Sequence, residues 1–220
     1  MILNKKPGKF LKLPGLFFIY PPLFSPLNNR FLNPLPLRGA GFRKFALKFE
    51  LIIRKNTMFK IIIIRETPLG IKDEEDLSVS EAIYSTYADY TDDILMVFDK
   101  VVLCLDRRSD VSDIYNDIVD IFEQLELGTK QFFMCFLSSS FTTRWEFEIT
   151  STEVIKITAH WFVVRYLYNI NSDIKVSVIE IPISEFKAQW GNIIKPMKRD
   201  ILSLGYDVTL ENFSFFDKFN

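Results

Sequence analysis

Histidine and cysteine are scarce in this chain, which limits the chemistry that it can carry. The 220 residues contain one histidine and two cysteines. A zinc site needs more clustered nitrogen and sulfur ligands than these residues supply. The G-x-S-x-G, P-loop, dinucleotide-binding and HExxH patterns are also missing from the sequence. We therefore expect neither enzymatic activity nor a cofactor.

The two cysteines lie in apolar, strand-like runs. Cys104 and Cys135 have no CxxC spacing and no neighbouring histidine. Thiols in such surroundings are typical of core residues in a reducing compartment. We expect both to be buried and the protein to be cytoplasmic. A disulfide or a reactive thiol is the alternative.

Long apolar segments are lacking as well. No run of about 18 uncharged apolar residues occurs, so we expect no transmembrane helix. The apolar residues 16–20 are followed at once by Pro21-Pro22, and no small-residue cleavage site follows. This pattern argues against a secretory signal.

Charge is distributed unequally along the chain. Residues 1–57 contain eleven Lys/Arg and one acid, whereas residues 58–220 contain sixteen Lys/Arg and twenty-seven Asp/Glu. Seven of the ten prolines precede residue 42, and proline at this density interrupts helices and strands. We therefore divide the chain into a basic, irregular segment (1–57) and a single acidic domain (58–220).

The origin of the basic segment is open. Met58 immediately precedes a β-branched run, as the start of a native chain would. The favoured hypothesis is that residues 1–57 are not part of the native protein. A signal peptide, or a basic, Phe-rich tail that touches nucleic acid or lipid, is the alternative.

The apolar pattern of residues 58–220 predicts an α+β fold. Short apolar or alternating runs indicate one antiparallel sheet of five to seven strands, including a hairpin that turns at Asp99-Lys100. Helical spacing of apolar residues predicts two main helices, at about 112–127 and 184–204. Ser112 and Ser184 are their expected N-caps.

A second predicted hairpin, with its turn at residues 151–153, places the lone histidine among charged residues. Its alternation and charge match set Glu148 opposite Lys156. Its polar face also carries Glu146 and His160, which could perform acid–base chemistry. Alternating charge on a solvated strand face explains the same pattern. A small hydrolase-like enzyme is therefore the alternative function.

The most informative cluster is acidic. Residues 66–126 hold seventeen Asp/Glu against four Lys/Arg. On the first predicted helix, carboxylates recur at helical spacing away from the apolar residues, at Asp113, Asp117, Asp120 and Glu123. Like charges at this spacing repel one another. We therefore expect a docking face for a basic protein. A solvated face or a calcium site is the alternative, and nucleic acid is not an expected partner because phosphates need Lys/Arg.

Three tyrosines precede this helix. Tyr84, Tyr87 and Tyr90 recur at intervals of three, next to Asp92 and Asp93. Tyrosine is enriched among the residues that contribute most to protein–protein binding. We expect Tyr84, Tyr87, Asp92 and Asp93 to extend the partner-binding surface. Packing of one or two of the tyrosines in the core is the alternative.

Residues 58–220 resemble small bacterial immunity proteins that neutralise polymorphic or contact-dependent toxins. The resemblance is carried by the acidic α+β composition, by Thr143-Arg144-Trp145-Glu146-Phe147 and by the helix end from Trp190 to Tyr206. It implies an inhibitor that occludes a basic toxin domain, often a nuclease, without turnover or cofactor. A non-catalytic subunit of a larger assembly is a further alternative. The sequence does not indicate the oligomeric state.

Overall fold

The computed structural model describes residues 58–164 and 174–219, which belong to one compact unit, Leu47–Asn220. The predicted irregular segment 1–57 lies outside the described residues. Within them the strands are β1 (Phe59–Ile63), β2 (Ile94–Phe98), β3 (Val101–Leu105), β4 (Gln131–Leu137), β5 (Phe141–Ile149), β6 (Val154–Val164) and β7 (Val176–Pro182). The α-helices are α1 (Val79–Thr86), α2 (Ser112–Glu126) and α3 (Ile183–Ser203). A π-helical turn (Arg107–Val111) precedes α2, and a 3₁₀ helix (Phe213–Phe219) follows α3.

The strands form two antiparallel sheets, whereas one was predicted. β1, β2 and β3 form a three-stranded sheet in that order, and β4, β5, β6 and β7 form a four-stranded one. Each pair joins strands that follow one another along the chain. Alternation identifies such strands but does not show where one sheet ends. The α+β class is confirmed, and α2 lies between the two sheets in the chain.

Both predicted hairpins are present. Asp99 and Lys100 join β2 to β3, and Asp99 has a positive φ of 52°. Aspartate tolerates this left-handed conformation, which tight hairpin turns need. Between β5 and β6, Glu148 lies opposite Lys156, and the two side chains form an ion pair of 3.2 Å. The predicted register is therefore confirmed.

The two predicted N-caps are not the observed ones. The helical path begins earlier than expected, at the π-helical turn, where the Asp106 carboxylate accepts a hydrogen bond from the Ser109 N–H (2.6 Å). Ser112 lies within the helix, where its hydroxyl donates to the Ser80 carbonyl (2.8 Å). α3 begins at Ile183 after Pro182, one residue before Ser184, without a side-chain cap.

An aromatic cluster joins both sheets to α3. Phe59 of β1 stacks on Phe186 of α3 with ring centroids 5.3 Å apart, and it meets Trp145 of β5 edge-on at 5.9 Å. Phe98 of β2 approaches the same tryptophan to 4.8 Å. All four side chains are buried and belong to one continuous core. The two sheets are therefore stabilised by shared packing.

Side-chain amides of α3 cover one edge of the three-stranded sheet. The Ile61 N–H of β1 donates to Oε1 of Gln189 (3.2 Å), and the Ile61 carbonyl accepts from Nδ2 of Asn192 (3.2 Å). An open strand edge would offer these groups to another chain. The two amides therefore block pairing at the centre of β1.

The two cysteines differ in exposure. Cys104 of β3 is buried, as expected, but Cys135 of β4 is exposed. β4 is an edge strand of the four-stranded sheet, and Phe133, Cys135 and Leu137 alternate along its exposed face. Apolar neighbours in the sequence therefore did not imply burial here. Among the described residues, no helix is long and apolar enough to cross a bilayer.

A buried arginine connects the segment after β3 to three other parts of the domain. Arg107 is 2% exposed, and its Nε donates to the fully buried Asp93 at 2.7 Å. Its guanidinium lies 4.4 Å from the ring centroid of Tyr87, and its Nη1 lies 3.4 Å from the Asp200 carboxylate. Thr67 also donates to Asp93. Each buried charge thus has a partner of opposite sign, as burial requires, while Nη2 of Arg107 is buried without a hydrogen bond to a described residue.

Arg107→Ala should lower the free energy of unfolding by about 3–5 kcal/mol, because Asp93 would stay buried without its cation. Lys156→Ala is the control, since it removes a half-exposed ion pair with Glu148 and should cost less than about 1 kcal/mol. Urea denaturation at pH 7 measures both. Equal losses in the two variants would contradict the role given to Arg107.

Candidate protein-binding surface

The predicted acidic row lies on the outer side of α2. The helix buries its apolar side chains in the core, among them Ile114, Ile118, Ile121 and Phe122. Helical spacing therefore places the carboxylates on the other side. Asp113, Asp120 and Glu123 are exposed, and Asp117 is half-buried. We call these four residues the acidic row.

Among the described residues, none with a positive charge forms an ion pair with the acidic row. Glu126, one turn further along the same helix, differs because it pairs with Lys218. Within residues 58–164 and 174–219, the neighbouring charges of the row therefore repel one another without a compensating ion pair. The row is thus an open anionic surface.

The pKa of Asp117 reflects the repulsion between neighbouring carboxylates of the acidic row. Burial and the nearby Asp120 carboxylate raise the pKa of Asp117 to about 6. Burial likewise raises the pKa of Asp113. Both effects disfavour the ionised form of the carboxyl. A cation placed against the row would favour the ionised form and so would lower the pKa of both carboxyls.

Two tyrosines and an arginine form a compact cluster next to α1. The Arg108 guanidinium lies 4.4 Å from the ring centroid of Tyr84 and 4.8 Å from that of Tyr90. The two hydroxyls are 2.6 Å apart. Nη1 of Arg108 also donates to the carbonyls of Tyr87 and Ala88, both at 2.8 Å. Tyr84 and Tyr90 are exposed by 41% and 64%. We call Tyr84, Tyr90 and Arg108 the tyrosine cluster.

The tyrosine cluster lies beside the start of the acidic row. Hydrogen bonds from Tyr90 and Arg108 lower the pKa of Tyr84, whereas the nearby charge of Asp113 raises it. The helices that carry Tyr84 and Asp113 are joined by a reciprocal pair of bonds, in which the Ser80 and Ser112 hydroxyls each donate to the other's carbonyl. The two features therefore form one surface across α1 and α2.

Two of the predicted partner-binding residues do not belong to this surface. Tyr87 and Asp93 are fully buried, because both take part in the Arg107 network described above. Their expected exposure is therefore corrected, and for Tyr87 the core alternative holds. Asp92 is half-buried, and burial raises its pKa although the nearby Arg65 lowers it.

Arg108 and Tyr90 were not predicted as members of the surface. Arg108 is one of four Lys/Arg in the acidic region 66–126. The scarcity of basic residues in this region was the sequence signal that could have drawn attention to Arg108. The sequence could not show which of the adjacent Arg107 and Arg108 turns inward, since that depends on a contact with Asp200 far along the chain.

The predicted alternative, an enzymatic site at Glu146, Glu148 and His160, lies on the side of the four-stranded sheet that faces away from the core. A groove of about 470 Å³ is lined there by Glu146, Glu148 and Lys156, among others. Each carboxylate already has a cation: Glu148 pairs with Lys156, and Glu146 lies 3.2 Å from Arg144 and 3.6 Å from His160. This arrangement is a charge ladder, with one pair within β5 and two pairs between β5 and β6.

Metal binding finds little support in the part of the chain that the structure describes. No group of three or more His, Cys, Asp or Glu residues there is placed to hold an ion. The acidic row follows a helix, whereas calcium loops fold their ligands around a centre. The calcium alternative thus has no ligand cluster among these residues.

Comparison with known proteins returns no relative. No family model, no curated protein and no solved structure matches this chain.

Asp117→Asn should make the domain more stable at pH 7, by about 1 kcal/mol after allowance for solvent screening of this half-buried group. Folding raises the pKa of this acid, so its favourable contribution is present at low pH and is lost as the pH rises from about 4 towards about 6. The advantage of the variant should therefore vanish near pH 4. Urea denaturation across this range measures it, and equal stabilities at pH 7 would refute a penalty at Asp117.

Proposed function

We propose that this protein is an inhibitory binding protein of the immunity type, which neutralises a basic partner through the acidic row and the tyrosine cluster. The observation that carries the proposal is the row of four carboxylates on α2 without ion pairs to described residues. A helix face that served only stability would alternate Lys with Glu. Here the compensating charge is left for a partner to supply.

Electrostatics would govern the encounter. Residues 58–220 contain twenty-seven acids and sixteen basic residues, so this part of the chain attracts cationic proteins. Complementary charge raises association rates and rejects wrong partners. Lysine or arginine side chains placed against the row would relieve the repulsion between Asp117 and Asp120.

The tyrosine cluster would supply the short-range contacts. Tyrosine and arginine are among the residues enriched at binding hot spots. Stacking and the bonds to the Tyr87 and Ala88 carbonyls already hold Arg108 in place. Little side-chain freedom would be lost on binding, which favours affinity.

The mechanism would be occlusion. A basic toxin domain that acts on nucleic acid carries its positive charge at the substrate cleft. An acidic surface seated there would exclude the substrate, and neither turnover nor a cofactor would be needed. A cytoplasmic location, where such a domain would act, belongs to the same proposal.

A triple variant tests the surface directly. Asp113→Asn, Asp117→Asn and Asp120→Asn together should weaken binding of the captured partner at least about 100-fold, because three favourable charge interactions are lost. The partner is first isolated by pull-down from the source organism with the natural chain. Calorimetry then gives the dissociation constants, and an assay of the partner's activity gives inhibition.

The matched control removes the same charge elsewhere. Glu153→Gln, Glu180→Gln and Glu185→Gln change three exposed acids outside α2 and should reduce affinity less than about fivefold, through long-range attraction alone. Undiminished binding by the first variant, or equal losses in both, would discard the interface. A partner without inhibited activity would discard the inhibitory function.

Binding should also weaken below pH 6. The pKa of Asp117 is about 6 in the unbound protein, and a bound cation would lower it. Binding below that pH must therefore release a proton, and the affinity should fall by up to about tenfold per pH unit. Asp117→Asn should remove this slope, which calorimetry between pH 5 and 7 would detect.

A further inference from the structure

β4 is an edge strand of the four-stranded sheet, and its even-numbered residues bond to β5. Before the strand, the Lys130 carbonyl accepts from the Ile149 N–H (2.9 Å). After it, the Ser138 N–H donates to the Phe141 carbonyl (3.0 Å). Backbone groups alternate in direction along an antiparallel strand. The groups that point away from β5 therefore belong to Gln131, Phe133, Cys135 and Leu137.

The amino acids of β4 leave this edge without the usual protection against pairing. Sheet edges are commonly protected by charged side chains, by proline or by covering groups. In this domain side-chain amides of α3 cover β1, and β7 exposes Glu180 and ends at Pro182. β4 has neither a charge nor a proline, and its Phe133 and Leu137 are exposed by 56% and 66%. Within residues 58–164 and 174–219, nothing bonds to its outward backbone groups.

We propose that β4 pairs with β4 of a second copy of this chain, antiparallel and about a two-fold axis at Met134. Hydrogen-bonded and non-hydrogen-bonded pairs alternate along an antiparallel ladder. A two-fold axis must therefore pass through a residue that lies opposite itself. Met134 is the central residue of β4, so this axis pairs the whole strand and continues the sheet from one copy into the other. The inference does not rest on the proposed function.

This register uses every outward group of the strand. Phe133 lies opposite Cys135 of the second copy, and Gln131 lies opposite Leu137 of the second copy. By symmetry, all four outward residues fall in hydrogen-bonded pairs. The side chains that meet across the axis are uncharged, so no like charges oppose one another. The second copy thus supplies a strand of matching length and neutral character.

The charges beside β4 match those of a second copy. Lys130, which precedes the strand, is exposed and forms no ion pair with a described residue. The proposed register places it opposite Ser138 of the second copy. The next N–H of that turn, from Ser139, donates to the Asp113 carboxylate. The axis therefore brings a lysine of each copy to an acid of the other.

The lysine and the acid also lie on the same side of the sheet. Residues of one parity along a strand share a face, and Met134 and Phe136 pack against the main core. Lys130 has this parity, so it belongs to the side on which α2 packs against β4. Asp113 lies in the first turn of α2, at one end of the acidic row. This charge complementarity favours a second copy, because an unrelated strand would have to reproduce it.

Sedimentation equilibrium of the full-length chain tests the dimer. The natural chain should give a mass of about twice 25.8 kDa, and the amides of Phe133 and Cys135 should exchange hydrogen more slowly as its concentration rises. Cys135→Lys should weaken dimerisation at least about tenfold, because a lysine on a strand edge opposes pairing. Val178→Lys is the matched control, since it adds the same charge at an exposed position of β7 and should change the dissociation constant less than about threefold.

An exchange of charges tests the register. Lys130→Glu should weaken dimerisation about tenfold, because it sets an acid against Asp113 of the second copy. Adding Asp113→Lys should restore the dissociation constant to within about threefold of the natural value. Lys175→Glu reverses an exposed charge away from β4 and should weaken dimerisation less than about threefold. A monomer at all concentrations, whether or not its β4 amides are protected, would overturn the proposal. Dimers that Cys135→Lys leaves intact, or no rescue by Asp113→Lys, would overturn it too.

Discussion

The buried guanidinium of Arg107 is the constraint from which the candidate surface follows. It holds Asp93 at 2.7 Å and stacks on Tyr87. Removing either carboxylate or cation from so dry a site leaves a charge that nothing solvates. The π-helical turn that begins at Arg107 leads directly into α2. The start of α2 is therefore anchored by a charge pair inside the core, and the buried apolar residues of the helix turn the acidic row outward.

The adjacent residues Arg107 and Arg108 contact different tyrosines, one in the core and two at the surface. Arg107 turns inward against Tyr87, whereas Arg108 turns outward between Tyr84 and Tyr90. Residues spaced by three lie on one side of a helix, but α1 ends at Thr86, before Tyr87 and Tyr90. Tyr87 can therefore point into the core while Tyr84 and Tyr90 stay at the surface. The same local break thus produces both a core contact and an exposed cluster.

Local spacing predicted much of this architecture. The Asp99-Lys100 hairpin, the register of Glu148 with Lys156 and the outward position of the acidic row each depend on residues near one another in sequence. Other features depend on distant partners. The burial of Asp93 and Tyr87 involves their contacts with Arg107. The first sheet ends at β3 because β4 pairs with β5 instead. The N-cap at Asp106 was missed because its serine partner, Ser109, lies in a π-helical turn that apolar periodicity does not reveal.

An apolar part and an acidic part of the domain differ in how far they are exposed to solvent. On one side of the three-stranded sheet, the apolar residues Leu95, Val97, Val102 and Cys104 are exposed by 4% or less. The acidic row remains open to solvent, although burial and Asp120 raise the pKa of Asp117 to about 6. The fold can pair an acid of α2 with a lysine, as Glu126 with Lys218 demonstrates. Folding alone therefore gives no reason for four neighbouring carboxylates that have no cation among the described residues, and the basic partner proposed above would supply one.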